Sequence, residues 1–382
     1  MDEVRADSLE LLRQRTSEKW VAHPPDVLPL FVAEMDYPLA PVIAETLADR
    51  IRLSDTGYVA SPLPAGKALA AFAARRWGWE IEPQNVRTTT DVSVGIVETL
   101  RKVTRPGDRV IINPPVYPPF SFMVPESGCE IVPVALLDDG TEYELDLDGI
   151  ERAFAAGARA LLLCNPHNPV GYVPSRESLA AIAALAAKYD ATVVSDEIHS
   201  MLTHSSATFT PFLSVSDAAR EHGVTITSAS KAFDLAGIKC SMMVAASDRS
   251  LAVLDAMSVE VGWRTSILGL HATIAALTDG DAWLDGTIRA LEASKALLGS
   301  LLASSLPGVG FRPPDATYLA WLDFRSLGWG EDPSIRALAA KVALNPGPDF
   351  GPGGSGFARL NFACSPEVLT EAIERLAAAP TP

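Results

Sequence analysis

The stretch Thr225-Ile-Thr-Ser-Ala-Ser-Lys-Ala-Phe-Asp-Leu-Ala-Gly-Ile-Lys239 leads from an apolar run into a polar loop. The β-branched residues of its first part predict a short buried strand. Lys231 follows that strand together with Ser228 and Ser230, at the kind of strand end where open α/β sheets bind ligands. A lysine amine forms Schiff bases with aldehydes and serine hydroxyls bind phosphate, so the loop suits pyridoxal 5′-phosphate (PLP). Taken alone, Ser-x-Ser-Lys favours an ordinary solvated lysine, and the choice depends on the rest of the chain.

Composition narrows the class of protein. The chain has 382 residues, 48% of them hydrophobic, which is enough for one large domain and a smaller one. Its formal net charge of -16 argues against nucleic acid or an anionic membrane as a partner. The start of the chain is charged and no apolar run approaches the length of a membrane span, so neither a secretory signal nor a membrane anchor is predicted. The four cysteines lack C-x-x-C spacing, which is typical of a reduced, cytoplasmic protein.

Strand and helix patterns alternate from residue 86 onward. Polar residues gather after successive predicted strands, namely Asn168, Asp196 and Lys231. This alternation predicts an α/β fold with a mostly parallel sheet covered on both faces. After residue 285 the pattern changes to a smaller α+β unit with predicted helices over 287–302 and 333–344. We expect a large domain over 46–284 and a small one formed by 1–45 and 285–382.

Three stretches leave alternatives open when each is taken alone. The helix predicted to begin at Thr90 or Asp91 offers free N–H groups to a phosphate, but an ordinary capped helix explains it as well. Tyr117 lies between prolines and either stacks on a flat ring or packs on the surface. Asp196, Glu197 and His199 suggest a metal site, but their spacing fits no common one, so no metal is predicted. Asp196 instead suits a protonated ring nitrogen.

Together these stretches resemble the fold-type I PLP enzymes of the aminotransferase class I/II superfamily over nearly the whole chain. The motifs are the turn Asn165-Pro-His-Asn-Pro-Val-Gly171, Asp196 in Ser-Asp-Glu-Ile-His, and Lys231 in Ser-Ala-Ser-Lys. Within the superfamily, Val32-Ala-Glu-Met-Asp-Tyr37 and Pro115-Val-Tyr-Pro-Pro-Phe120 resemble the MalY/PatB branch of cystathionine β-lyases (C–S lyases). The resemblance implies a large domain with a seven-stranded sheet and a smaller α+β domain.

The resemblance also implies roles around the cofactor ring. Lys231 would hold PLP through its amine and move the α-proton of the substrate. Asp196 would pair with the pyridine nitrogen, which makes the ring an electron sink. Asn168, with His199 alongside, would bind the ring's 3′-oxygen. Tyr117 would stack on the ring, contact the substrate and take part in catalysis.

Other residues would hold the phosphate and the substrate. The resemblance assigns Ser228, Ser230 and the backbone of Asp91-Val92 to the phosphate. Tyr58 would reach the phosphate of a neighbouring subunit, which implies a homodimer with shared active sites. Arg359 would clamp the carboxylate of a small amino-acid substrate through a bidentate fork.

Four positions depart from the family pattern. Lys239 stands on the phosphate where many relatives have arginine, and Asp91 replaces a glycine at the helix start. Glu34 replaces an aspartate, and Asp234 stands where asparagine is frequent. These departures hint at a divergent branch with its own substrate.

The expected activity is cleavage of cystathionine or a cysteine S-conjugate to thiol, pyruvate and ammonia. An aminotransferase, or a secondary-metabolism relative acting on an S-conjugated amino acid, would use nearly the same residues. A non-catalytic PLP-fold protein is the alternative from another class, and the presence of Lys231, Asp196 and Asn168 argues against it.

Overall fold

The computed structural model describes residues 4–379. Its strands are β1 (Leu28–Pro29), β2 (Val86–Thr89), β3 (Arg109–Ile112), β4 (Glu130–Pro133), β5 (Leu137–Asp138), β6 (Tyr143–Glu144), β7 (Ala158–Cys164), β8 (Thr192–Asp196), β9 (Gly223–Thr227), β10 (Ser241–Val244), β11 (Gly310–Phe311), β12 (Leu319–Asp323), β13 (Val342–Ala343), β14 (Asn345–Pro346) and β15 (Phe357–Asn361). Its α-helices are α1 (Leu9–Leu12), α2 (Glu18–Val21), α3 (Pro41–Arg52), α4 (Leu63–Trp77), α5 (Val92–Val103), α6 (Phe120–Glu126), α7 (Leu147–Ala155), α8 (Arg176–Lys188), α9 (Asp217–His222), α10 (Asp248–Asp255), α11 (Val259–Trp263), α12 (Ile267–Asp279), α13 (Asp281–Ser305), α14 (Pro333–Ala339) and α15 (Pro366–Ala377).

The central sheet has seven strands in the order β2-β10-β9-β8-β7-β3-β4. Only β10 runs against its neighbours, β2 and β9, and the other pairs are parallel. The prediction of an α/β fold with a mostly parallel, seven-stranded sheet is confirmed.

Both faces of this sheet are buried, as its nearly continuous apolar strands predict. Successive residues of one strand enter different hydrophobic clusters: Val193 packs on one side of the sheet and Val194 on the other. In β3, Ile111 joins the first cluster and Val110 the second. Helix α5 covers the second face through Ile96 and its apolar neighbours.

The parallel register brings three strand ends to one edge of the sheet. Cys164 at the end of β7 pairs with Asp196 at the end of β8, and Asp196 pairs with Ile226 in β9. The loops that follow these strands therefore begin side by side. Asp196 at the end of β8, and Asn168 and Lys231 in the loops after β7 and β9, therefore gather at one edge of the sheet, where ligands bind in open α/β folds.

A second, antiparallel sheet has the order β11-β12-β15-β14 and presents Arg359 from β15. The N-terminal segment joins this part of the molecule, because β1 pairs with β13 and the Asn361 amide donates to the carbonyls of Val32 and Glu34. We retain the two-domain division as a proposal. Helix α13 runs without interruption across residue 285, where that division places a boundary.

The structure differs from two of the predicted helices. The helix predicted over 333–344 ends at Ala339, because Lys341 has a left-handed φ of 65° and the chain continues into β13. The polar segment 8–20 forms α1 and α2 instead of one helix. Within residues 4–379, no helix has both the length and the apolar character needed to cross a membrane.

Candidate active site

A cavity opens at the carboxyl edge of the central sheet, and most of the predicted site residues line it. They are Asp91, Val92, Tyr117, Asn168, Asp196, His199, Ser228, Ser230, Lys231 and Lys239. The strand register explains the convergence, because the loops after β2, β7, β8 and β9 all rise from one edge. The sequence predictions outside this lining are Arg359 and Tyr58.

Lys231 projects its amine into the cavity from the loop after β9. Its Nζ donates a hydrogen bond to the Ala33 carbonyl at 2.8 Å. The surrounding protein lowers the pKa of this amine through burial, and the nearby positive charge of Arg359 adds to the effect, while Asp234 opposes it. A depressed amine pKa favours the neutral form that acts as nucleophile and base.

The carboxylate of Asp196 is buried at the end of β8. Its Oδ1 accepts a hydrogen bond from the Ile198 N–H at 3.1 Å. Among the described residues, no lysine, arginine or histidine lies within ion-pair distance of this carboxylate. Burial raises the pKa of Asp196 to about 7. A cationic group placed against it would reverse that shift, since opposite charge favours the ionised form.

His199 and Asn168 lie beside Asp196, and both are buried. Burial lowers the pKa of His199 to about 3, and the charges of Lys231 and Arg359 act in the same direction, so the imidazole is neutral. Its Nδ1 has no partner among the described residues. Asn168 accepts a hydrogen bond from Arg359 Nη1 through Oδ1, which leaves its amide NH2 as a donor.

Arg359 is buried although it does not line the cavity directly. Its Nη1 lies 3.1 Å from Asn168 Oδ1 and its Nη2 lies 2.9 Å from the Phe31 carbonyl. Within residues 4–379 no carboxylate pairs with it, and its Nε has no partner. Burial lowers the pKa of this guanidinium to about 10, which leaves it charged. A buried cation held only by neutral acceptors suits an incoming anion.

The opposite end of the cavity carries hydroxyls and backbone donors. Ser228 and Ser230 both line the cavity, and the Ser228 hydroxyl donates to the Cys240 carbonyl at 2.7 Å. Helix α5 begins at Val92, and no described residue accepts a hydrogen bond from its first N–H groups. The side chain of Asp91 is turned to Lys239, with Nζ 3.0 Å from Oδ1.

The sequence interpretation missed several residues of the cavity and its surroundings. The Tyr318 hydroxyl donates to the Ala33 carbonyl at 2.9 Å, so Tyr318 and Lys231 share one acceptor. Cys164 and Ile198 also line the cavity. No local signal marks Tyr318, which immediately precedes the apolar strand β12. Tyr58 is 92% exposed on this chain and does not line the cavity.

Glu197 does not join Asp196 and His199 in a shared ligand set. Its carboxylate accepts hydrogen bonds from the Ser195 hydroxyl and from the Phe212 N–H at 2.8 Å, behind the strand end. No group of three or more metal-ligating side chains occurs in the described part of the chain.

The residues that line the cavity fit PLP, because several of their polar groups have no partner in the protein and match the groups of this cofactor. Lys231 supplies an amine for an aldehyde, and Asp196 supplies a buried carboxylate with no cation. Asn168 and His199 have polar atoms that are available to a ring substituent, and the start of α5 has free N–H groups that suit a phosphate.

Comparison with known proteins agrees with this geometry. Residues 25–376 match the family model described as "Aminotransferase class I and II". Cystathionine beta-lyase of Corynebacterium glutamicum is 38% identical over 98% of this chain and 99% of that protein. Cystathionine beta-lyase PatB of Bacillus subtilis is 35% identical over 93% of this chain and 92% of its own length. The crystal structure of cystalysin from Treponema denticola, which contains PLP, superposes with a TM-score of 0.91 at 28% identity, covering 99% of this chain and 98% of that one.

Proposed function

Because the chain belongs to the aminotransferase class I and II family, in its branch of C–S lyases, we propose that it cleaves the Cβ–S bond of cystathionine or another cysteine S-conjugate. The products are a thiol, pyruvate and ammonia, with one water consumed. The observation that carries the proposal is the meeting of the Lys231 amine and the uncompensated Asp196 carboxylate in one cavity. The names of the relatives favour the lyase over the transferase reaction.

When bound, PLP supplies a ring that withdraws electrons from the α-carbon of the substrate. Lys231 would hold the cofactor and then use Nζ to remove the α-proton, a task that its depressed pKa supports. Asp196 would pair with the ring nitrogen, and the Asn168 NH2 would donate to the ring's 3′-oxygen with neutral His199 beside it. Tyr117 would cover the ring.

The substrate carboxylate would bind to Arg359, whose guanidinium is positioned by Asn168 and by the Phe31 carbonyl. Asn168 would thus contact both the carboxylate clamp and the cofactor. This link would hold the α-carbon of the substrate in a fixed orientation relative to Lys231, which is the main requirement for proton removal.

The direct test measures pyruvate release from L-cystathionine and a series of S-alkyl cysteines. The wild-type protein should show the PLP absorption band and release pyruvate, and Lys231→Ala should abolish release. Lys102→Ala is the matched control, because Lys102 is exposed on the last turn of α5, away from the cavity. PLP binding without pyruvate from any thioether would refute the lyase. A keto acid that keeps its sulfur side chain would identify an aminotransferase.

A homodimer with shared active sites completes the proposal. Tyr58 is 92% exposed, and exposed Val259 and Trp263 line a depression together with the neighbouring residues 59–62. These apolar groups suit a subunit contact, across which Tyr58 would reach the phosphate of the partner copy. We also propose a cytoplasmic location, in line with four free cysteines.

Subunit complementation tests the shared site. Lys231→Ala and Tyr58→Ala homodimers should both be weakly active or inactive, and refolding them together should create one intact site per heterodimer. Recovery of about a quarter of the wild-type activity is expected from random pairing. No recovery with both variants folded and dimeric would refute the contribution of Tyr58.

A further inference from the structure

The start of helix α5 holds an aspartate that does not cap its own helix. Asp91 has the extended backbone of an N-cap residue, with φ of -139° and ψ of 154°, but its side chain accepts no hydrogen bond from the helix. Aspartate at this position normally accepts from the second or third N–H group of the helix. In this chain Asp146 does so for α7 and Asp332 does so for α14.

Lys239 accounts for the difference. Its Nζ lies 3.0 Å from Asp91 Oδ1, and among the described residues this is the only ion pair that either side chain makes. The backbone of Lys239 is fixed in the left-handed region, with φ of 62°, and its carbonyl accepts a hydrogen bond from the Ser266 N–H that leads into α12. The lysine therefore projects from an anchored position and draws the carboxylate away from the helix.

The consequence concerns the N–H groups of Val92, Ser93 and Val94. They have no intrahelical acceptors, and Val92 and Ser93 line the cavity that contains Lys231. An Asp91 carboxylate turned onto these groups would occupy the place of a phosphate and repel it. We propose that Lys239 is a positioning residue that prevents Asp91 from capping α5 and so keeps the phosphate cradle of PLP open.

This inference rests on the proposed PLP site and explains two departures from the family pattern together. A chain with glycine at position 91 would need no such restraint. An aspartate there requires a cation that competes with the helix for its carboxylate. Lys239 is half exposed, with 52% of its side chain accessible, so replacing it does not empty a packed core.

The test is a double-mutant cycle on the full-length protein, freed of cofactor and titrated with PLP while the cofactor absorption band is followed. Lys239→Met is expected to weaken PLP binding by about tenfold. This is the size of one lost charge-assisted hydrogen bond between the phosphate and an N–H group of α5 that Asp91 would then occupy. Asp91→Ala should bring the Lys239→Met protein back to within about threefold of the Asp91→Ala protein. Asp91→Asn should not restore binding, because its amide oxygen still caps the helix.

Binding of pyridoxal, which lacks the phosphate, shows whether Lys239→Met affects the phosphate cradle alone or the whole cofactor site. The affinity for pyridoxal should change by less than about twofold in the Lys239→Met protein. An equal loss for pyridoxal and PLP would overturn the inference, and so would failure of Asp91→Ala to rescue, which would show that Lys239 binds the phosphate itself. Full recovery of PLP binding by Asp91→Asn would show that the Asp91 charge repels the phosphate without capping α5, and this result would also overturn the inference. Failure of the wild-type protein to bind PLP at Lys231 would instead refute the proposed function.

Discussion

Replacing Lys19 with methionine is expected to destabilise the protein by about 3–5 kcal/mol, because the Asp36 carboxylate would lose its partner inside the protein. The Lys19 Nζ lies 2.6 Å from Asp36 Oδ1, and the two side chains are 0% and 1% exposed. Two unit charges at this separation attract by roughly 6 kcal/mol at an effective dielectric constant of about 20. Lys19 also donates to the Glu34 carbonyl at 3.1 Å, within the segment whose Ala33 carbonyl binds Lys231.

Thermal unfolding of the cofactor-loaded protein, followed by circular dichroism at one protein concentration, measures the loss. The midpoint should fall by about 4–6 °C, because a chain of this length has an unfolding entropy of roughly 0.8 kcal/mol/K. The matched control is Arg52→Met, whose pair with Asp49 is 71% and 51% exposed and should contribute less than about 1 kcal/mol.

The double variant Lys19→Met with Asp36→Leu separates the lone charge from lost packing. It should regain most of the stability, because both charges then leave the interior. A Lys19→Met protein within about 1 kcal/mol of wild type, or a double variant less stable than that single one, would refute the reasoning.

Three further predictions concern the neighbourhood of the site. Burial raises the pKa of Glu197 to about 8, above its unfolded value, so its contribution to stability is full at low pH and is lost as the pH rises toward 8. Glu197→Gln should therefore match the wild type near pH 4 to 5 and flatten the decline, so that it is at least as stable as the wild type at pH 7. Denaturant unfolding from about pH 4 to 8 measures this, and a Gln variant that is less stable than the wild type at pH 7 would show that Glu197 is ionised in the folded protein. Gly171→Ala should cost more than about 2 kcal/mol, because φ is 69° and a Cβ would lie 2.2 Å from Pro314 Cβ. Gly328→Ala is the control, because Gly328 has a φ of 64° but open space around a Cβ, so only the backbone cost of about 1 kcal/mol remains. Equal unfolding midpoints for the two variants would contradict the clash with Pro314. Arg359→Lys should lower kcat/KM for the amino-acid substrate by about tenfold or more, because lysine cannot form the bidentate fork. The kcat/KM for an amine substrate that lacks the carboxylate should change little. An equal loss of kcat/KM for both substrates would contradict the role of Arg359 as the carboxylate clamp.

Much of this site was predictable from the sequence because its elements are local. Lys231, Asp196 and Asn168 each follow an apolar strand, and parallel strands carry such residues to one edge without further information. The helix prediction over 333–344 failed at its end, because pairing of β13 with β1 depends on residues about 300 positions earlier in the chain.

Local periodicity and turn chemistry were therefore enough for the alternating α/β pattern, the parallel sheet and the residues at its strand ends. They could not reveal that Lys231 and Tyr318 meet at the Ala33 carbonyl, or that Lys239 pairs with Asp91 at the wall of the cavity. These contacts join residues separated by 148 to 285 positions. The two contacts to Ala33 exist only after the N-terminal segment packs against the two sheets, and the Lys239–Asp91 contact requires β10 to pair with β2. Side-chain type shows what a residue can bind, whereas its partner depends on which distant residue the fold places within about 3 Å.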